Sequence, residues 1–163
     1  NGQGFPTLPI LWNNDNPTRG KIAQALKDQW RQALGVNVES QQMEGKVYKQ
    51  HVSKKDYAIA IVAWYGDYPD ASTFTDKYLS TSLQNDSDWQ NKPFDALCAA
   101  AKKEGDPVAR GRLLSQAEHL IDTEVPIVPM YHYANVSMSR PNVEGVAPNP
   151  RNMTIFKAVR VRK

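Results

Sequence analysis

Between residues 63 and 74 the chain reads AWYGDYPDASTF, which brings two carboxylates into a cluster of aromatic rings. A carboxylate set against indole and phenol rings is partly desolvated, and an unpaired charge there is costly. A cationic guest offsets that cost through a charge-assisted hydrogen bond, with a cation–π contribution from the ring. Asp67 beside Trp64 is therefore suited to hold an ammonium group, with Tyr65 and Gly66 lining the same crevice mouth. Gly66 lets the backbone turn sharply, and Pro69 stiffens the turn. A plainer reading competes. Asp-Tyr-Pro-Asp is also good turn chemistry, Asp70 or Ser72 can cap a helix that starts near Thr73, and Trp64 can be ordinary core.

Asp67 and Asp70 do not form a convincing acid and base pair. Glycosidase carboxylates face each other across a substrate at about 5–9.5 Å, which two residues of one tight turn rarely do. The chain contains no GxSxG elbow, P-loop, HExxH or GxGxxG. His51, His119 and His132 share no metal-ligand spacing and read as structural or surface positions. Cys98 is the single cysteine, so neither an internal disulfide nor a cysteine zinc cage can form, and its setting in FDALCAAAKK is that of a small buried hydrophobe. No catalytic residue, metal site or cofactor is expected.

The segment follows the apolar run YAIAIVAW (57–64), which reads as a fully buried strand. Ahead of it, TLPILWN (7–13) is a second buried strand. NPTRGKIAQALKDQWRQALG is a helix with Asn16 as cap, Pro17 in the first turn and Gly35 as stop. Its packed face is expected to be Ile22, Ala25, Leu26, Trp30, Ala33 and Leu34. VNVESQ (36–41) alternates like a strand, and GKVYKQHVSK (45–54) is a short helix. Strand, helix, strand, helix, strand predicts a partly parallel α/β sheet flanked by helices, and ligands gather at the C-terminal ends of such strands. Trp64 stands at that end of the third strand.

Beyond the site, SLQNDSDWQNKP is polar and loop-like. PFDALCAAAKK is a helix entered through Pro93. Asp106 caps the next helix, whose stripe is Leu113, Leu114, Ala117, Leu120 and Ile121, and Pro126 ends it. IVPMYHY, NVSMS and TIFKAVRVRK read as strands.

The chain has 163 residues, 40% hydrophobic and 23% charged, which suits one globular domain. No apolar run approaches the ~18 residues of a membrane span. Net charge is +3 with the basic residues scattered, so a nucleic-acid groove is not expected.

AWYGDYPDASTF after its apolar strand resembles the "GWxxDYPDxxTF" segment of the peptide-binding extracytoplasmic proteins of ABC importers, the oligopeptide, dipeptide and nickel type. GKIAQALKDQWRQALGVNVES is similar to that family's helix and strand ahead of the site. The stretch from KPFDALCAAAKK to RPNVEG is similar to its following helices, its Pro-Ile-Val-Pro strand and its closing hairpin. The resemblance implies a lobe of a type II periplasmic binding protein. It assigns Asp67 to the N-terminal ammonium of a peptide and Trp64 to the same pocket, with Tyr65 offering backbone groups to an extended ligand. It implies a peptide or other small solute as ligand and an ABC permease as partner. It also implies a periplasmic or extracytoplasmic location, with membrane anchoring through a missing N-terminus left open.

Relatives of this kind are about three times longer. Residues 1–150 are thus expected to be part of a C-terminal lobe, and 151–163 a strand returning to a missing N-terminal lobe. Half a cleft should bind weakly or not at all. Gly45 stands where many relatives carry an aromatic residue, which would widen or remove a subsite. A solute-sensing domain of a transcription regulator is the competing function.

Overall fold

The computed structural model describes residues 2–134, 136–147, 153 and 155–162. It divides into two compact units, Asn1–Ala63 and Trp64–Lys163. In the first, β1 (Leu8–Asn13) is followed by α1 (Pro17–Leu34), β2 (Val38–Met43), α2 (Gly45–Ser53) and β3 (Ile59–Ala60). The sheet order is β2-β1-β3, and both pairings are parallel. Alternation along β1 sends side chains to two faces. Ile10 packs with Ala23 and Val38 under α1, while Leu11 packs with Tyr48 and Val52 under α2. The expected α/β class, with a parallel sheet between helices, is what these residues build.

The caps of α1 are the residues that the local chemistry requires. The Asn16 side chain accepts from the Thr18 N–H at 2.9 Å, and Gly35 takes the left-handed conformation at φ 69°. That cap also moves the start of β2. Val36 spends its N–H on the Trp30 carbonyl, so the strand begins at Val38 rather than Val36. The buried face of α1 is rotated from the expected one. Ala23 is fully buried and Leu26 and Trp30 half-buried, whereas Ala25, Ala33 and Leu34 are exposed. Ala23, Leu26 and Trp30 share one face at i, i+3 and i+7, and Ala25 and Ala33 turn away from it.

The third strand is shorter and less buried than its apolar run predicts. Only Ile59–Ala60 pairs in a ladder, both residues are half-buried, and Val62 is exposed. β3 pairs with β1 alone and forms an edge of this sheet, so one flank lacks a neighbour among the described residues.

The second unit is built on α4 (Lys92–Lys103) and α5 (Pro107–Glu124), preceded by the one-turn helix α3 (Ser72–Thr75). Asn91 and Asp106 cap α4 and α5 through the Phe94 and Ala109 N–H groups. Phe94, Cys98, Ala117 and Ile121 form the core, and Trp89 meets Phe94 edge-on at 4.9 Å. Cys98 is buried as expected, and burial pushes its thiol up to about 11. Glu124, at the C-terminal end of α5, accepts from the Trp89 indole at 2.8 Å and the Asn91 amide at 2.6 Å. Those donors offset the unfavourable placement of an anion at the negative end of a helix.

Two expected strands are not strands. Ile127 lies in a bend, residues 128–134 and 136–139 form neither helix nor ladder among the described residues, and Asn135 lies outside them. Val128, Met130, Val136 and Met138 are exposed. Their alternation satisfies the local requirement for a strand, but a strand also needs a neighbour to pair with. Among the described residues, the ladder of this unit is instead antiparallel, between β4 (Val143–Glu144) and β5 (Arg160–Val161). Within the expected strand at 154–163, Phe156–Ala158 forms a 3₁₀ turn ahead of β5. Residues 151, 152, 154 and 163 lie outside the described residues.

Candidate ligand-binding site

The aromatic-acidic segment opens the second unit. Trp64 lies four residues beyond the end of β3 rather than at the strand end itself. It is half-buried, and its indole N–H donates to the Thr73 carbonyl at 3.0 Å. Thr73 is 3% exposed, and its Oγ1 accepts the backbone N–H of Asp67, also at 3.0 Å. One buried residue therefore ties both Trp64 and Asp67 to α3.

Gly66 has no positive φ, so it is not needed for a left-handed turn. Its role is close approach. A Cβ there would lie 3.1 Å from the Thr73 methyl, so a side chain would push against the residue that holds its neighbours.

The two aspartates have different fates. Asp70 is an anchor. Its carboxylate takes a forked contact from Arg110 at 3.0 and 2.7 Å and accepts the Ser72 N–H at 2.8 Å. The Arg110 guanidinium beside it, with the Ser72 contact, holds the Asp70 carboxyl well below the usual carboxylate range. The turn reading is right for Asp70. Asp67 differs: its backbone is fixed, its side chain is exposed, and its carboxylate has no hydrogen-bond or ion-pair partner among the described residues. The expectation that the rings desolvate this carboxylate is corrected, because the residue faces solvent.

The indole of Trp64 already has a cation. Lys77 is 3% exposed, with Nζ 4.9 Å from the centre of the Trp64 ring and 2.6 Å from both the Gln84 carbonyl and an Asp86 oxygen. Cation–π attraction at that indole is used internally. Tyr65 is 48% exposed and stacks on Tyr133 at 5.8 Å, and Tyr133 meets Tyr131 at 5.0 Å. A shallow dish of about 240 Å³ lies between Gly66, Tyr68, Pro69 and Phe74.

Sequence reading did not single out Thr73, Lys77, Arg110, Tyr131 or Tyr133. The alternate tyrosines of YHY were the available signal for the last two. Gly45, in the first unit, opens α2, and a Cβ there would lie 3.1 Å from an Asp15 oxygen. The space that a larger side chain would enter is thus bordered by Asp15, which accepts from the Asn13 amide at 2.7 Å. Among the described residues, no group of three or more His, Cys, Asp or Glu side chains is placed to hold a metal ion, and no helix is long and apolar enough to cross a membrane.

Known proteins resemble the chain along most of its length. The oligopeptide-binding protein OppA of Bacillus subtilis (strain 168) is 32% identical over 143 residues, 87% of this chain and 26% of that protein. The periplasmic murein peptide-binding protein MppA of Escherichia coli (strain K12) is 30% identical over 163 residues, 99% of this chain and 30% of that protein. The structure of the Escherichia coli murein tripeptide-binding protein MppA superposes with a TM-score of 0.87 at 30% identity, over 96% of this chain and 31% of that one. The chain thus spans between a quarter and a third of the length of these relatives. The family model described as "Bacterial extracellular solute-binding proteins, family 5 Middle" matches residues 1–86, more than half of the sequence, and the chain belongs to that family.

Proposed function

We propose that this chain is part of a solute-capture protein that serves an ABC importer and takes an oligopeptide or dipeptide without turning it over. The observation that carries this reading is Asp67, whose backbone is hydrogen-bonded to a buried threonine while its carboxylate meets solvent with no cation partner among the described residues. A carboxylate carried on a backbone that is already hydrogen-bonded leaves only its own side chain to be ordered when an ammonium arrives. Trp64 and Gly66 fix the turn that carries it, and Tyr65 supplies backbone groups and a ring beside it. The names of the relatives, oligopeptide- and murein-peptide-binding proteins, support a peptide ligand and an extracytoplasmic place of work.

Residues 1–150 would contribute part of one lobe and 151–163 a return toward the other, so ligand would be enclosed only when the second lobe closes on it. Attachment to a membrane through an upstream segment belongs to the same proposal, as does docking on the permease.

The test is Asp67→Asn in the intact natural chain that carries these residues, titrated with short peptides by calorimetry. Loss of a charged hydrogen bond should cost about 2 kcal/mol, roughly thirtyfold in affinity. Unchanged affinity would make Asp67 a turn residue and remove the reading.

A further inference from the structure

We infer that Thr73 is the positioning residue of this site, setting the placement of Asp67 and Trp64 from behind. The inference rests on the capture reading above and adds a residue to it. Thr73 is buried at 3% and does two jobs with two atoms. Its Oγ1 accepts the Asp67 N–H and its carbonyl accepts the Trp64 indole N–H, each at 3.0 Å. Its methyl fills the space left open by Gly66.

Thr73 is itself held firmly. Its N–H donates to the Asp70 carbonyl at 3.2 Å, and Asp70 is clamped by Arg110 from α5. The clamp on α5 therefore reaches the Asp67 backbone through two intervening residues. A carboxylate on an unpinned turn samples many positions and must be ordered at the moment of binding, whereas one pinned through its own N–H is already placed. The Asp67 N–H, part-buried with its Thr73 acceptor, would turn elsewhere for a partner once that acceptor is lost, carrying the side chain with it.

Thr73→Val keeps the shape and removes the acceptor, and Thr73→Ser keeps the acceptor and removes the methyl. In the intact natural chain, each is titrated with a free-amine peptide and with the same peptide N-acetylated. The ratio of the two affinities isolates what happens at the ammonium, because a general loss of stability lowers both alike. Thr73→Val should reduce that ratio by about fivefold, the worth of one hydrogen bond, and Thr73→Ser should leave it within about twofold of the parent. If Thr73→Val does not fold, Thr73→Cys, whose sulfur is a weak acceptor of similar size, should lower the ratio in the same direction.

An unchanged ratio in the valine or cysteine variant, while Asp67→Asn abolishes it, overturns the positioning role and leaves Asp67 standing. A ratio indifferent to Asp67→Asn as well overturns the capture reading and takes the inference with it.

Discussion

Lys77 offers a sharp test of how the second unit is held together. Its ammonium is 3% exposed and touches two oxygens at 2.6 Å, the Gln84 carbonyl and the Asp86 carboxylate, while the Asp86 side chain keeps 25% of its surface in water. The two halves of the pair are therefore unequal. Asp86→Asn leaves a buried ammonium facing a neutral amide, and stranding a buried charge in this way costs about 3–5 kcal/mol. Lys77→Met keeps the apolar stem in place and leaves the Asp86 carboxylate in contact with water. Its cost should be about 1–2 kcal/mol, near that of an ordinary lost hydrogen bond.

The double variant should resemble Lys77→Met alone, because once the ammonium is gone Asp86 has nothing to neutralise. Urea unfolding followed by tryptophan fluorescence reads all three, since Trp64 lies under the ammonium. With a slope of about 2 kcal/mol per molar, Asp86→Asn should lower the midpoint by roughly 2 M and Lys77→Met by less than about 1 M. Equal single effects that simply add in the double variant would refute the asymmetry and, with it, the view that Lys77 is a desolvated charge with one dominant partner.

Arg110 should matter only where Asp70 is ionised. The Asp70 carboxyl is depressed when folded, so its contribution is present above the ordinary aspartate value near 4 and is lost as pH falls below it. The stability gap between the parent and Arg110→Met, followed by thermal melting, should therefore shrink from pH 6 to pH 2, and a constant gap would mean that the fork is not the cause. The alkaline side depends on burial. Cys98 is pushed up to about 11 and Tyr78 to about 12, both chiefly by desolvation, so each favours the neutral form when folded. Stability should hold to about pH 9 and decline through pH 12, and Cys98 should resist iodoacetamide at pH 8 until urea is added. Rapid alkylation of the native chain would contradict a buried thiol.

Helix boundaries were legible because they are set by neighbours in sequence. Asn16, Asn91 and Asp106 each bond to an N–H within three residues, and Gly35 supplies the left-handed stop. Strands were less legible because pairing is not local. The apolar run IVPMYHY is real, but a ladder requires a partner that no residue of that run specifies. The onset of β2 was hidden by the α1 cap, which takes the Val36 N–H. At the site, Asp70 was readable as a turn carboxylate from its own few residues, whereas Arg110 meets it from forty residues away. Lys77 gave no sign of burial, since a lysine in a polar-looking stretch normally reads as solvent-facing and only tertiary structure supplies Asp86, Gln84 and the indole.

The central place of β1 has a consequence for how the chain acquires its structure. β1 is made before either of its partners, so both of its ladders wait for residues made later, Val38 for Leu8 and Ile59 for Ile10. Closing such loops costs entropy before any contact repays it, so parallel sheets assemble slowly. The α4–α5 hairpin, by contrast, joins helices separated by three residues and can zip up from its own turn. The α4–α5 pair can thus form soon after it is made, while β1 stays unpaired until β2 and β3 follow it and is a strand that a ribosome-associated chaperone would have reason to shield.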